Sequence, residues 1–323
     1  MPVLCHPRSR RLFEATPQTE CIIPTTDGQA YDMFPEFRWV YNKLTIAELG
    51  SIACGPHNTC PPRHLYPIFS KPIYNLGGMG ADARRIATSQ DYWRSVTPGH
   101  MWSAYLQGEH YSTDIAVVQG RPVWLSHTRG APGPEQTWDY WEINMPGSLS
   151  LQYAITNFVE THLATYTGML NMETIDDKII EVHLRLSPQW PDLYGNSFLS
   201  SLVSLYCTGE WLDACRDLQI GYSVVLFDEE KYARLSTIVT DACLGEMGRR
   251  CGVCSITMRY DAEKPIESIM RPLGGYRIAW INGFDLDKCQ RAREMLRDYL
   301  HKLYESGDHS MYGHGMNGYI EEY

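Results

Sequence analysis

The sequence predicts an α+β fold of two or more lobes, and three observations carry that prediction. Stretches of alternating apolar residues and stretches with helical spacing are interspersed along the chain, without repeats or heptads. With 323 residues, 44% of them hydrophobic and 20% charged, the chain can bury a substantial core and divide into two or three lobes. Glycine, proline and short polar clusters separate the stretches closely, and no long linker interrupts them.

Composition excludes several functions. Twenty-eight Lys and Arg against 38 Asp and Glu give a net charge of −10, which argues against a surface that neutralises nucleic acid or anionic lipid. No apolar run approaches the roughly 20 residues that cross a bilayer. Arg8, Arg10 and Arg11 are followed by no apolar stretch of a leader type, so a cytoplasmic location is expected, with neither nucleic acid nor membrane as partner. The ten cysteines are scattered, as in a reducing compartment. Cys251-Gly-Val-Cys254 has only Cys243 nearby and lacks the second pair that marks a zinc site, so free thiols are expected there.

The elements follow in order. Residues 1–40 are Pro-rich and polar and read as an extended arm or a very small domain. Lys43 to Ala53 spaces its apolar residues as a short helix that stops before Gly55-Pro56. Leu65 to Lys71 reads as a strand entering the run Asn75-Leu76-Gly77-Gly78-Met79-Gly80, and Ser89-Gln90-Asp91 caps a helix through Val96. His100 to Val118 and Arg121 to Ser126 are strand-like, with a Gly/Pro loop from Gly130 to Pro134. Ser148 to Tyr166 is helical, Gly168 to Leu186 is a hairpin, and Ser197 to Tyr206 is a helix. The boundaries drawn are 41–215 for the central lobes and 216–305 for an α+β C-terminal module. That module holds strand Ser223–Asp228, helix Glu229–Arg250, strands near Cys254–Tyr260 and Tyr276–Ile281, and helix Asp285–Glu305. Residues 306–323 read as a tail, with His309 and His314 in it and Arg249-Arg250 as a solvated helix end.

The hairpin is the most informative stretch. Strand alternation puts Ile180, Val182, Leu184 and Leu186 on one face and Glu181, His183 and Arg185 on the other. With a loop at Asp176-Asp177-Lys178, Thr174 opposes Ile180, Met172 opposes Val182 and Glu173 opposes Glu181. Facing carboxylates repel unless a cation lies between them, and oxygen ligands suit Mg²⁺. The alternative is an exposed hairpin shifted by one residue, with solvated charges. A second constellation is Lys71-Pro72 ahead of Gly77 and Gly78. A lysine and loop N–H groups in that order hold phosphates, unless the glycines simply make a turn. No Walker loop or GxGxxG is present.

Taken in order, five features resemble the ATP-grasp superfamily over residues 38–210. They are Asn42-Lys43 opening a helix, Phe69-Ser70-Lys71-Pro72 with its glycine loop, the run Ala104 to Asp114, Arg129, and the hairpin of Glu173 with Glu181-Val182-His183-Leu184-Arg185. The resemblance implies a nucleotide clasped between two α+β lobes, with Lys43, Lys71, Gly77 and Gly78 around its phosphates. It implies a hinge at Trp102–Gln107 with Tyr105 and Leu106 against adenine, and Glu109 on the ribose. Arg129 and Arg185 resemble the arginines that meet the transferred phosphoryl group, and Glu173 and Glu181 resemble magnesium ligands. The family usually has Asn where this chain has His183, an imidazole that suits Mn²⁺ or Zn²⁺ better than Mg²⁺. The usual acid next to the hinge falls one place on, where this chain has His110.

These features point to an ATP-dependent ligase that activates a carboxylate as an acyl phosphate for attack by an amine or similar nucleophile. The expected partners are ATP, Mg²⁺ or Mn²⁺, a small-molecule or peptide carboxylate and a nucleophile acceptor; a homo-oligomer is compatible with the sequence. A kinase acting on a hydroxyl and a non-catalytic nucleotide-binding protein are the other readings. Ser187, Gln189 and Tyr194 are candidates for the acceptor site, or for a loop fixed by Pro188 and Pro191. Trp138, Tyr140 and Trp141 are either a stacking surface or packing.

Overall fold

The computed structural model describes residues 2–74, 76, 80, 82–133, 137–212, 218–235, 238–259 and 275–306. Gly77, Gly78 and the tail histidines lie outside them. The N-terminal segment forms a small parallel pair, β1 (Val3–Leu4) and β2 (Ile23–Pro24), and helix α1 (Asp27–Met33). Thr26 and Gln29 cap α1 reciprocally, each side chain bonding to the other's backbone. The segment is not loose: Phe13, Ile23 and Ala30 are fully buried.

Helix α2 (Lys43–Leu49) opens on Asn42, whose side chain accepts from the N–H groups of Leu44 and Thr45. A four-stranded antiparallel sheet follows, from β3 (Cys54–Pro56), β4 (Ile68–Pro72), β5 (Arg84–Ile86) and β6 (His100–Ala104), in the order β3-β6-β4-β5. The strand expected from Leu65 begins only at Ile68, and helix α3 (Ser89–Arg94) is capped by Thr88 instead of Ser89. The long strand expected from His100 is broken after Ala104. Residues 105–109 cross to the second sheet, and Gly108 takes a φ of +147° where a Cβ would strike Asp176 at 2.8 Å.

The second sheet has eight strands. They are β7 (His110–Val118), β8 (Arg121–Pro132), β9 (Trp138–Met145), β10 (Gly168–Ile175), β11 (Lys178–His183), β12 (Gly221–Asp228), β13 (Ser255–Met258) and β14 (Tyr276–Gly283), in the order β11-β10-β7-β8-β9-β12-β14-β13. Strands of residues 221–283 thus pair onto the same sheet as the hairpin. Strand β9 was missed because Gly130 to Pro134 reads as a loop. Gly130 is instead in β8, where a Cβ would meet the rings of Trp138 and Trp141 at 2.7 to 3.0 Å.

Helix α4 (Leu149–His162) buries Leu151, Ile155, Phe158 and Val159 against one face of this sheet, with Leu170, Met172, Ile179 and Val182 beneath. Helix α5 (Phe198–Thr208) packs on the other face with Trp190, Tyr194 and Trp280. The helix expected over Glu229–Arg250 is two, α6 (Glu230–Leu235) and α7 (Asp241–Cys251), because Thr240 caps a new start. With α8 (Leu286–Ser306), which buries Cys289, Ala292, Leu296 and Leu300, they cover the far end of the first face.

Not every cysteine is free. Cys21 and Cys207 are joined, with Cα atoms 5.7 Å apart, and tie the N-terminal segment to α5; a pairing between residues so distant leaves no spacing signal. No helix of the described residues is long and apolar enough to cross a membrane.

Burial makes the fold sensitive to acid. His127, bonded to Thr113 Oγ1 at 2.9 Å, has its imidazole pushed down from 6.5 to about 4. Below pH 6.5 the unfolded chain therefore takes up a proton that the folded chain refuses until about 4. Stability is full above that window and falls as the pH drops through it. The expected loss from His127 alone is about 2 kcal/mol by about pH 5. Urea denaturation near neutral and at about pH 5 checks this, and His127→Gln should remove its share of the difference. Equal stability of wild type and variant change across the window would rule out a buried neutral imidazole.

Candidate active site

The hairpin turn is two residues long, Asp176 and Asp177, both with positive φ near 50 to 60°, and Lys178 already belongs to β11. Glu173 faces Glu181 and Met172 faces Val182, as expected. The register then shifts: Thr174 faces Ile179, not Ile180. Ile180 is the extra residue of a β-bulge, so it leaves the apolar face to Ile179 and packs with Leu44, Ile73 and Leu106 between the sheets. Its carbonyl accepts a hydrogen bond from Lys71 Nζ at 3.0 Å.

Two lysines from outside the hairpin converge on it. Lys43, the first residue of α2, puts Nζ 2.5 Å from Glu181 Oε1, and Lys71 on β4 puts Nζ 3.8 Å from the same oxygen. Both are buried. Burial pulls the Lys71 ammonium below its ordinary value against the opposing pull of Glu181. The other oxygen, Glu181 Oε2, lies 3.6 Å from His183 Nε2.

Among the described residues, Glu173, Glu181 and His183 form one group of metal-ligating side chains, with one atom from each within 4.8 Å of the others. Glu173 Oε2 lies 3.3 Å from His110 Nε2. Burial alone would raise the Glu173 carboxyl, but His110, His183 and Lys43 outweigh it and hold the group at about 2. It is thus a carboxylate at neutral pH. Two carboxylates and an imidazole nitrogen fit a divalent cation, and the nitrogen suits Mn²⁺ better than Mg²⁺.

The residue that orders this group comes from the N-terminal segment. Asp27 Oδ1 lies 3.0 Å from His183 Nδ1, and both Asp27 oxygens receive the Arg185 guanidinium, at 3.0 and 3.1 Å. A carboxylate on Nδ1 selects the tautomer that leaves Nε2 as an acceptor toward the cluster. Burial would raise the Asp27 carboxyl, but Arg185 and His183 hold it far below the usual range. Sequence reading missed Asp27, although Thr26-Asp27-Gly28-Gln29 carries the capping-box spacing that marks a helix start.

Other expected residues go elsewhere. Strand register pairs Glu173 with Ser112 and Ser112 with Thr128, so Arg129, opposite Tyr111, sits on the other face of the sheet. There it is held by Glu142 at 2.6 Å and by Glu109 at 2.9 Å, and Tyr111 also donates to Glu109. Arg129 and Glu109 are therefore bound to each other and not brought to the cluster. Tyr105 is exposed beneath Arg85, and Leu106 packs between the sheets. Trp138 and Trp141 pack against His110, at 4.8 and 6.1 Å, and not around Arg129. Ser187 and Tyr194 close on buried Asp114, the Ser187 N–H and the Tyr194 hydroxyl both donating to it, and Gln189 donates to Ser223. They fix a loop.

This fold recurs among solved proteins. The crystal structure of an L-amino acid ligase from Bacillus licheniformis aligns over 90% of this chain and 82% of its own, with a TM-score of 0.57 and 14% identity. The chain has the ATP-grasp fold. A carboxyaminoimidazole ribonucleotide synthase from Aspergillus clavatus, complexed with ATP, matches over 87% of this chain and 76% of its own, at a TM-score of 0.54 and 11% identity. An N5-carboxyaminoimidazole synthetase from Staphylococcus aureus, complexed with ADP, matches over 86% and 74%, at 0.55 and 10%. No family model and no curated protein matches the sequence. At such identities the ATP-grasp fold is shared, and the substrates remain those proteins' own.

Proposed function

We propose that this ATP-grasp chain is an ATP-dependent ligase, which converts a carboxylate to an acyl phosphate and transfers the acyl group to an amine or similar nucleophile. The observation that carries the reading is the meeting of Lys43 and Lys71 with Glu173, Glu181 and His183 between the two sheets. The structural likeness to an L-amino acid ligase supports the same reaction class.

In this reading the lysines take the ATP phosphates, with Tyr105 and Leu106 on the adenine side. A substrate carboxylate oxygen attacks the γ-phosphorus, the bond to the β–γ bridging oxygen breaks, and ADP leaves. The nucleophile then attacks the acyl carbon, and orthophosphate leaves with the carbon–oxygen electron pair. Arg185, fixed by Asp27, holds a positive charge at the edge of the cluster. Glu173, Glu181 and His183 would hold a divalent cation, which supplies charge neutralisation when bound. The chain's own contribution is position and electrostatics.

Hydroxylamine tests the proposal, because it traps an acyl phosphate as a hydroxamate. The protein, given ATP and Mg²⁺ or Mn²⁺, is screened against amino acids and di- and tricarboxylates. The expected result is ADP, orthophosphate and, with hydroxylamine as acceptor, a hydroxamate. A phosphorylated hydroxyl with no free orthophosphate establishes a kinase instead, and AMP with pyrophosphate excludes both.

A further inference from the structure

The charges of the candidate site are matched among themselves. Among the described residues there, three side-chain cations, Lys43, Lys71 and Arg185, stand with three carboxylates, Asp27, Glu173 and Glu181. Arg185 is taken up by Asp27. Glu181 Oε1 serves both ammonium groups, Lys43 Nζ at 2.5 Å and Lys71 Nζ at 3.8 Å, and Lys71 also donates to the Ile180 carbonyl at 3.0 Å. The lysine side chains are only 8 and 9% exposed, so water does little to replace that carboxylate.

The backbones of the lysines are fixed to one sheet while their heads reach the other. The Lys43 N–H donates to the Ile73 carbonyl at 2.9 Å, and Lys71 lies in β4, paired with Met101 of β6. Their ammonium groups meet Glu181 on β11, in the eight-stranded sheet. A lysine stem is flexible and carries a point charge, so its head can pass from one anion to another while the backbone stays in place. Glu181 meanwhile has two roles that compete. As a ligand in the group with Glu173 and His183 it must accept a divalent cation, and as the counterion of the lysines it holds two positive charges where that cation would approach. Like charges at such separations repel strongly away from water. A cation alone meets the lysines, whereas a polyphosphate alone draws them off and leaves Glu181 a bare carboxylate beside an anion. Arriving together, the two answer each other's charge.

We infer that Lys43 and Lys71 latch Glu181 in the free chain, so that a divalent cation is held off until the nucleotide's phosphates draw the lysines away, and cation and nucleotide bind in mutual dependence. This rests on the nucleotide and cation part of the function proposed above, and not on the identity of the carboxylate or the nucleophile. The dependence is reciprocal: the factor by which nucleotide tightens the cation is the factor by which the cation tightens nucleotide.

The test uses the full chain, Mn²⁺ followed by electron paramagnetic resonance, and a non-hydrolysable ATP analogue. Without nucleotide, Lys43→Met is expected to bind Mn²⁺ about tenfold more tightly than the wild type. Lys71→Met, whose ammonium stands farther from Glu181, should tighten it less. Lys178→Met, an exposed lysine of the same strand as Glu181, should bind as the wild type does. In the wild type the analogue should tighten Mn²⁺ by about tenfold or more, and in Lys43→Met by a smaller factor, because the latch is already open. Circular dichroism confirms the fold, and Lys71→Met decides where Lys43→Met does not fold. Unchanged or weaker Mn²⁺ binding by the folded variants overturns the inference. So does equal tightening in Lys178→Met, which makes the effect one of overall charge. If analogue and Mn²⁺ bind independently of each other, the latch is overturned and the nucleotide reading stands. If the analogue does not bind, both are overturned, so the two failures are told apart.

Discussion

Glu181→Gln is expected to lower ADP release about a thousandfold or more. The side chain is a hub: Oε1 takes the ammonium groups of Lys43 and Lys71, and Oε2 faces His183 Nε2. Glutamine keeps the volume and loses the charge. Two buried ammonium groups then lack their common counterion, and the cation site keeps one carboxylate, Glu173, in place of two. Both changes fall where negative charge moves during phosphoryl transfer, so they should act on turnover more than on folding. Steady-state ADP release by the two proteins, with circular dichroism to confirm the fold, makes the comparison. Arg129→Gln is the contrast, because Arg129 lies on the other face with Glu109 and Glu142. It should leave turnover within about threefold, as surface charge changes away from a site do. A loss matching that of Glu181→Gln would return Arg129 to the reaction, and a fully active Glu181→Gln would remove the proposed centre.

The contrast between those two residues shows what the sequence made legible. Strand alternation is local, so Glu181, His183 and Arg185 could be placed on one face; the facing of Glu173 and Glu181 comes from a two-residue turn and the bulge at Ile180, which together give the register that a three-residue loop would have given. The same period misleads once a bulge intervenes, and a bulge such as Ile180 has no composition of its own. Arg129 was assigned by order along the chain, and order says nothing about which face of a sheet a residue takes. That depends on its pairing with Tyr111, a register between strands. Gly130 and Pro132 look like a loop, yet both lie in β8, where Gly130 leaves room for Trp138 and Trp141, and that look hides the strand that follows. Asp27 is the deepest miss. Its partners His183 and Arg185 lie 156 and 158 residues away, beyond anything that periodicity reports.

Asp27 also yields the most discriminating pair of variants. In Asp27→Ala the Arg185 guanidinium loses both oxygens and stays largely buried, and His183 loses the partner on Nδ1. Breaking a buried pair from one side costs about 3 to 5 kcal/mol, so the chain should unfold at distinctly lower urea. Asp27→Asn is gentler on the fold and sharper on the chemistry. Its amide oxygen still accepts from Arg185, but if its N–H₂ turns to His183 it must donate to Nδ1, which moves the ring proton to Nε2. An Nε2 that carries a proton cannot serve as a ligand beside Glu173 and Glu181. Both variants should therefore bind Mn²⁺ about 10- to 100-fold more weakly, as loss of such a supporting carboxylate does elsewhere. Asp27→Asn should retain more of the stability. Titration of Mn²⁺ followed by electron paramagnetic resonance reads the affinity directly, and urea denaturation reads the fold. Should Asp27→Asn bind Mn²⁺ as the wild type does, His183 is not a ligand and Asp27 serves Arg185 alone. Should both variants lose stability equally, the carboxylate charge, and not the tautomer it selects, is what the N-terminal segment brings to the cluster.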